Sequence, residues 1–252
     1  ISTVPLGWRA DFTNQGCGAS VGLAAAQLEW IAEKLAETED ATGVRITLDL
    51  EPEPGCLLDR AEHVVSLFDQ CFNTEQSRRY LGVCHDICHS AVMFEEQDDA
   101  LELYAKNSVR VGKIQVSAAL GCAGAPKELA ELAQFAEPRY LHQTCVLAGN
   151  GDVQFFEDLD LALEAMPDGP WRTHFHVPVH LDEIGRLSTT ARQIPLALAA
   201  ASKVDPPCFE VETYAWTVLP IHLRERDLSA GIARELLWTR AALERAGYQV
   251  HA

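Results

Sequence analysis

Six residues of the kinds that hold metal ions stand at the ends of short apolar runs. They are Glu51 in RITLDLEPEP, Asp86 and His89 in LGVCHDICHS, His174 and His176 in WRTHFHVPVHL, and Glu212 in CFEVETYAW. Carboxylate oxygens and imidazole nitrogens together suit a divalent cation such as Zn, Mn or Mg. Alternate side chains of a strand share a face, so Thr47, Asp49 and Glu51 point one way, and Pro52 stops the ladder with Glu51 at its end. The same period pairs Cys84 with Asp86 and turns His85 away, as a packed or hydrogen-bonded histidine. Three residues after Asp86, where the chain turns, His89 can share a metal with it. His174 and His176 project together from an otherwise apolar strand, which packing alone does not explain, and His180 lies just beyond. Glu210 and Glu212 share a parity, with Glu212 nearer the strand end and Tyr214 and Trp216 placed to wall a pocket. Gln115, mid-strand in KIQVS, is a polar group that needs partners if buried.

Elements that position these residues repeat as a short β-rich run, a loop and an amphipathic helical stretch, the pattern of a parallel sheet covered by helices. Helices are expected over 22–39, 60–73, 95–107, 126–135, 158–166, 189–201 and 229–246. Strands are expected in the opening ISTVPLG and around Leu48, Val83, Ile114, Phe175 and Val211, with the segment at Leu141 as a seventh. Gly149-Asn150-Gly151 signals a turn, and so a strand or hairpin elaboration within 139–160. Carboxyl ends of parallel strands share one mouth in a barrel, where Glu51, Asp86 and Glu212 are expected to converge within about 8 Å. A closed barrel of this class has about eight strands. Either N-terminal βα units lie outside these residues, or further strands are too irregular to read.

The 252 residues fit one α/β domain, 1–252, with no linker or low-complexity stretch. With 37 acidic against 20 basic residues, a formal net charge of −17 opposes binding to nucleic acid or an anionic membrane. No apolar run has the length of a membrane span and no leader pattern is visible, so the expected location is the cytoplasm, with no membrane insertion. Eight scattered cysteines read as free thiols rather than a disulfide framework, and Cys84-x-x-x-Cys88 lacks the spacing of a zinc knuckle. There is no G-x-S-x-G elbow, GxGxxG or P-loop motif, and no HExxH, which favours a metal site built from scattered ligands.

The ordered set Glu51, Asp86-Ile-Cys-His89, His174 and Glu212 resembles the xylose isomerase-like TIM barrels. LDLEPEPG, VCHDICHS, IQVSAAL, RYLHQT, HFHVPVHL and VETYAWTVLP resemble, more narrowly, the eboE-type metabolite traffic proteins, over about residues 1–220. The resemblance implies an α/β TIM barrel lacking its N-terminal βα units in this chain. It implies a divalent metal on Glu51, Asp86 and Glu212, with Glu51 and Glu212 also moving protons. The family's histidine ligand falls at Gln115, a departure that bears on both metal affinity and epimerase chemistry. In the endonuclease IV-like members a further zinc sits at positions matching His89, His174 and His176, the second being Asp there.

Two functions follow as expectations. One is a metal-dependent isomerase or epimerase acting on a small polar metabolite, a sugar or sugar phosphate. The other is a non-catalytic metabolite-handling protein, with metal-assisted phosphoester hydrolysis behind both because of the charge.

Overall fold

The computed structural model describes residues 1–252 other than 4, 13–16, 204–206, 214–215, 217–218, 222–223, 225–226 and 251–252, and the side chains of 17–20 are also left aside. In chain order its strands are β1 (Ser2–Thr3), β2 (Leu48–Leu50), β3 (Leu81–Asp86), β4 (Val111–Val116), β5 (Leu120–Cys122), β6 (Thr144–Leu147), β7 (Val153–Phe156), β8 (Trp171–Thr173), β9 (Glu183–Ile184), β10 (Leu187–Thr189) and β11 (Cys208–Val211). The helices are α1 (Cys17–Thr42), α2 (Ala61–Cys71), α3 (Glu75–Tyr80), α4 (Ile87–Val92), α5 (Gln97–Lys106), α6 (Pro126–Leu132), α7 (Leu159–Ala165), α8 (Ile194–Ala201) and α9 (Leu228–Arg245).

Two sheets form, and they correct the expected TIM barrel. Strands β1-β2-β3-β4-β11 lie side by side, all parallel, while β7-β6-β8-β5-β10-β9 form a second sheet in which every pairing is antiparallel. The architecture is mixed α/β, and β11 pairs directly with β4 rather than across further parallel strands. Connection length explains the change. Only residues 117–119 separate β4 from β5, too few for the crossover that a parallel neighbour needs. The Gly149-Asn150-Gly151 turn makes β6 and β7 the expected hairpin, with Leu147 opposite Val153. The expected strand around Phe175 ends early, because β8 stops at Thr173.

All six residues of β3 are buried, as in a parallel strand covered on both faces. Helix α5 packs on α2 and α8, and Phe68 meets Phe72 edge to face with ring centroids 5.1 Å apart. Asp49 is buried beside Arg110 at 2.7 Å. A Cβ at Gly82 or Gly112 would come within 2.5 or 2.2 Å of Asp49 Oδ1, so glycine makes room for this pair between the strands. Among the described residues no helix is long and apolar enough to cross a membrane. Cys56, Cys71, Cys84, Cys88, Cys122, Cys145 and Cys208 are free thiols.

Helix α2 begins on a long-range contact, the Ala61 N–H donating to Glu95 Oε1 at 2.9 Å. Burial raises the Glu95 carboxyl from 4.5 to about 6. Because the folded value lies above the unfolded one, its contribution is fully present below pH 4.5 and is lost as pH rises through 6. Glu95→Gln keeps the oxygen acceptor and removes this dependence. The variant is therefore expected to be more stable than the parent at pH 8 by up to about 2 kcal/mol, read as a flattened profile of denaturation midpoint between pH 4.5 and 7.

Candidate metal centre

The parallel strands deliver the acids to one end of their sheet. Glu51 follows β2, Asp86 closes β3 and Glu212 follows β11, which places them at the carboxyl ends of strands, where open α/β sheets form their crevices. One carboxylate oxygen from each lies within 4.8 Å of the other two, and Asp86, His89 and His176 form a second such group. The expected convergence of the three acids is observed. A third group joins the buried Cys88 to His174 and His176.

Asp86 also caps α4. Its Oδ1 accepts from the His89 N–H and from Ser117 Oγ, each at 2.8 Å, which fixes the first turn that presents His89. The Asp86 and Glu212 carboxylates each keep one buried oxygen, Oδ2 and Oε2, without a hydrogen-bond partner among the described residues.

Around the histidines, each Nδ1 faces an acceptor. His89 Nδ1 lies 2.9 Å from Pro52 O, and His176 Nδ1 lies 3.1 Å from Glu212 O. His174 Nδ1 lies 2.7 Å from Gln143 Oε1, whose orientation is set by Gln143 Nε2 donating to Glu53 Oε1 at 2.9 Å. Carbonyl oxygens only accept, so Nδ1 carries the hydrogen in all three rings and Nε2 presents a lone pair when the ring is neutral. His174 Nε2 lies 3.1 Å from both His89 Nε2 and His176 Nε2. A proton on His89 can serve the first contact, but a cation serves both. Two nitrogens bound tetrahedrally at 2.0–2.1 Å to zinc would stand about 3.3 Å apart, close to the spacing observed.

The electrostatics agree with this crowding. Burial first, then the charges of Asp86 and Glu51, push the Glu212 carboxyl up to about 8. Burial likewise lifts Glu51 to about 7, helped by Asp86 and Glu53 and opposed by His89. Burial pushes His176 down to about 4 and His174 well below its ordinary value. For His89, burial is outweighed by the nearby carboxylates, Asp86 foremost, and its value rises. A divalent cation would neutralise the acids and occupy the histidine lone pairs at the same time. The side chains present could hold a metal ion.

A cavity of 430 Å³ opens on this cluster, lined by Glu51, His89, His174, His176 and Glu212, with Arg139 and Tyr140 at its wall. Gln115 stands in register with Asp86, but its Oε1 accepts from the Cys84 thiol at 3.3 Å. His85 turns away, as expected, onto Gln97 Oε1 at 2.8 Å and the Tyr104 ring. Glu210 is ion-paired with Lys113. Trp216 is buried against Glu235 rather than walling the cavity, and Tyr214 lies outside the described residues. Sequence reading passed over Gln143, Ser117 and Glu235, which orient or anchor the ligand-bearing segments; isolated polar residues in apolar stretches were their only signal.

These features define the chain as a mixed α/β protein with side-chain clusters that could hold a metal ion. No family model matches the chain, and no curated protein matches it.

Proposed function

We propose that this chain is a divalent-metal protein of isomerase or epimerase type, acting on a small polar metabolite such as a sugar or sugar phosphate, with Zn, Mn or Mg as the ion. The observation that carries the reading is the placement of Glu51 and Glu212 on two strand ends, with Asp86 within 4.8 Å of both and a 430 Å³ cavity in front. The ion, held by the carboxylates and histidines, would polarise substrate oxygens. One of the two glutamates takes a proton from the carbon beside a substrate carbonyl as the electron pair shifts toward the carbonyl oxygen. The other returns a proton, so the charge balances over the two steps. Gln143 and Pro52 hold the His174 and His89 rings in one tautomer, which keeps the cluster oriented while the glutamates move protons.

Metal-loaded protein incubated with sugars and sugar phosphates in D₂O is expected to place deuterium at the carbon next to the carbonyl. Glu212→Gln should suppress that exchange by about 10²-fold or more while leaving the circular dichroism unchanged. The Gln115 amide, whose oxygen accepts from the Cys84 thiol and which stands where the resembling family has a histidine ligand, favours a second reading as a metabolite-handling protein without turnover. Saturable sugar binding with no exchange in any tested compound would favour it over the first.

A further inference from the structure

A second cavity, of 630 Å³, lies on the antiparallel sheet and shares no lining residue with the metal centre. Arg172 of β8 forms part of it, with Arg60 before α2 and Arg192 after β10. Three guanidinium groups on one cavity stand out in a chain whose net charge is −17. Arg172 is half-buried and stacks on Phe94, its Cζ 4.2 Å from the ring centroid, while its Nη1 donates to Ala91 O at 2.7 Å. Among the described residues, neither Arg172 nor Arg60 has a carboxylate within ion-pair distance. Arg192 meets Asp182 at 3.9 Å, with both side chains well exposed, a pair too weakly held to fix it. Glu96, which is exposed, is the one acid among the described residues of the lining.

Between Arg172 and the exposed Ser188 the cavity floor is Gly121. A Cβ there would come within 3.1 Å of Ser188 Oγ and 4.0 Å of Arg172 Cγ, so the glycine keeps the space between hydroxyl and guanidinium open. Beside Ala91 O and the Phe94 face, Arg172 meets the Gln193 amide, whose oxygen end when turned toward it accepts from Nη1 at 3.2 Å and Nη2 at 3.3 Å, so its partners are all neutral. A partly desolvated cation without an anion is costly, and guanidinium matches phosphoryl oxygens in pairs.

We propose that this cavity binds a phosphoryl group, with Arg172 as its fixed anchor, Arg60 and Arg192 closing on it, and Ser188 donating a hydrogen bond. The volume exceeds that of a lone phosphate and accommodates a small phosphorylated metabolite.

The test is calorimetric titration of the intact chain, at constant ionic strength, with inorganic phosphate, with glucose 6-phosphate and with glucose. Saturable binding of the two phosphates and none of glucose is expected. Arg172→Gln should weaken it about tenfold or more, and the Arg60→Gln, Arg192→Gln double variant, which leaves β8 untouched, should weaken it comparably if Arg172→Gln does not fold. Tighter binding of glucose 6-phosphate would identify a phosphorylated metabolite as the natural ligand, and equal binding would identify free phosphate. Absence of saturable binding for both phosphates overturns the proposal. So does binding of equal strength in the arginine variants, which would place the phosphate outside this cavity.

Discussion

Replacing His174 by alanine is expected to lower the affinity for Zn²⁺ by about 10²-fold or more, since loss of a ligand should cost at least as much as loss of a ligand's partner. His174 is the central ring of the cluster, its Nε2 being 3.1 Å from the Nε2 atoms of both His89 and His176. Removing it takes away the nitrogen that touches both rings and leaves Asp86 as the third donor they share. Competition against a chromophoric chelator gives the affinity, and far-ultraviolet circular dichroism verifies the fold. Gln143→Ala should act in the same direction and less strongly, about 10–100-fold, because it removes the acceptor that sets the His174 tautomer. Zinc at about 100 times its dissociation constant should raise the parent's stability by about 2.7 kcal/mol and shift neither variant as far. Unchanged affinity in a folded His174→Ala protein would show that the rings serve packing or substrate contact instead.

The candidate site was legible because its acids obey simple rules. Alternation along RITLDLEPEP with a proline stop put Glu51 at a strand end, and alternation in LGVCHDICHS separated Asp86 from His85. The same rule misled at THFHVPVH. His174 and His176 do share a side, with Phe175 opposite them against Phe135, yet the segment joins no strand ladder. The His174 N–H donates to Gln143 O and the Val177 N–H to Ala118 O, while Pro178 has no N–H to give. Alternation reports which side chains share a face and is silent on the partner of the backbone. That silence also concealed the second sheet, since apolar three- or four-residue strands look alike in parallel and antiparallel ladders. Helix α4, six residues long, is set by the Asp86 cap rather than by any apolar stripe.

Glu235→Ala is expected to destabilise the protein by about 3 kcal/mol or more and to weaken metal binding in the molecules that remain folded. Glu235 sits on α9, 1% exposed, and receives three hydrogen bonds from segments that carry the cluster. Its Oε1 accepts from the Val179 N–H at 3.0 Å and from Thr213 Oγ1 at 2.6 Å, and its Oε2 accepts from Trp216 Nε1 at 3.1 Å. Val179 lies three residues beyond His176, and Thr213 follows Glu212 directly, so one carboxylate ties the histidine segment to the last acid. Burial raises the Glu235 carboxyl, opposed by these donors, Thr213 foremost. Alanine leaves three donors without their acceptor, whereas Glu235→Gln retains an oxygen for Val179 and Thr213 and sets an amide nitrogen against the Trp216 N–H. Glutamine should therefore recover most of the lost stability and of the metal affinity. Denaturant midpoints give the first quantity, and zinc competition well below the unfolding transition gives the second. If alanine lowers the midpoint while the folded protein binds zinc as the parent does, Glu235 serves only to dock α9 and the tie to the metal centre is refuted.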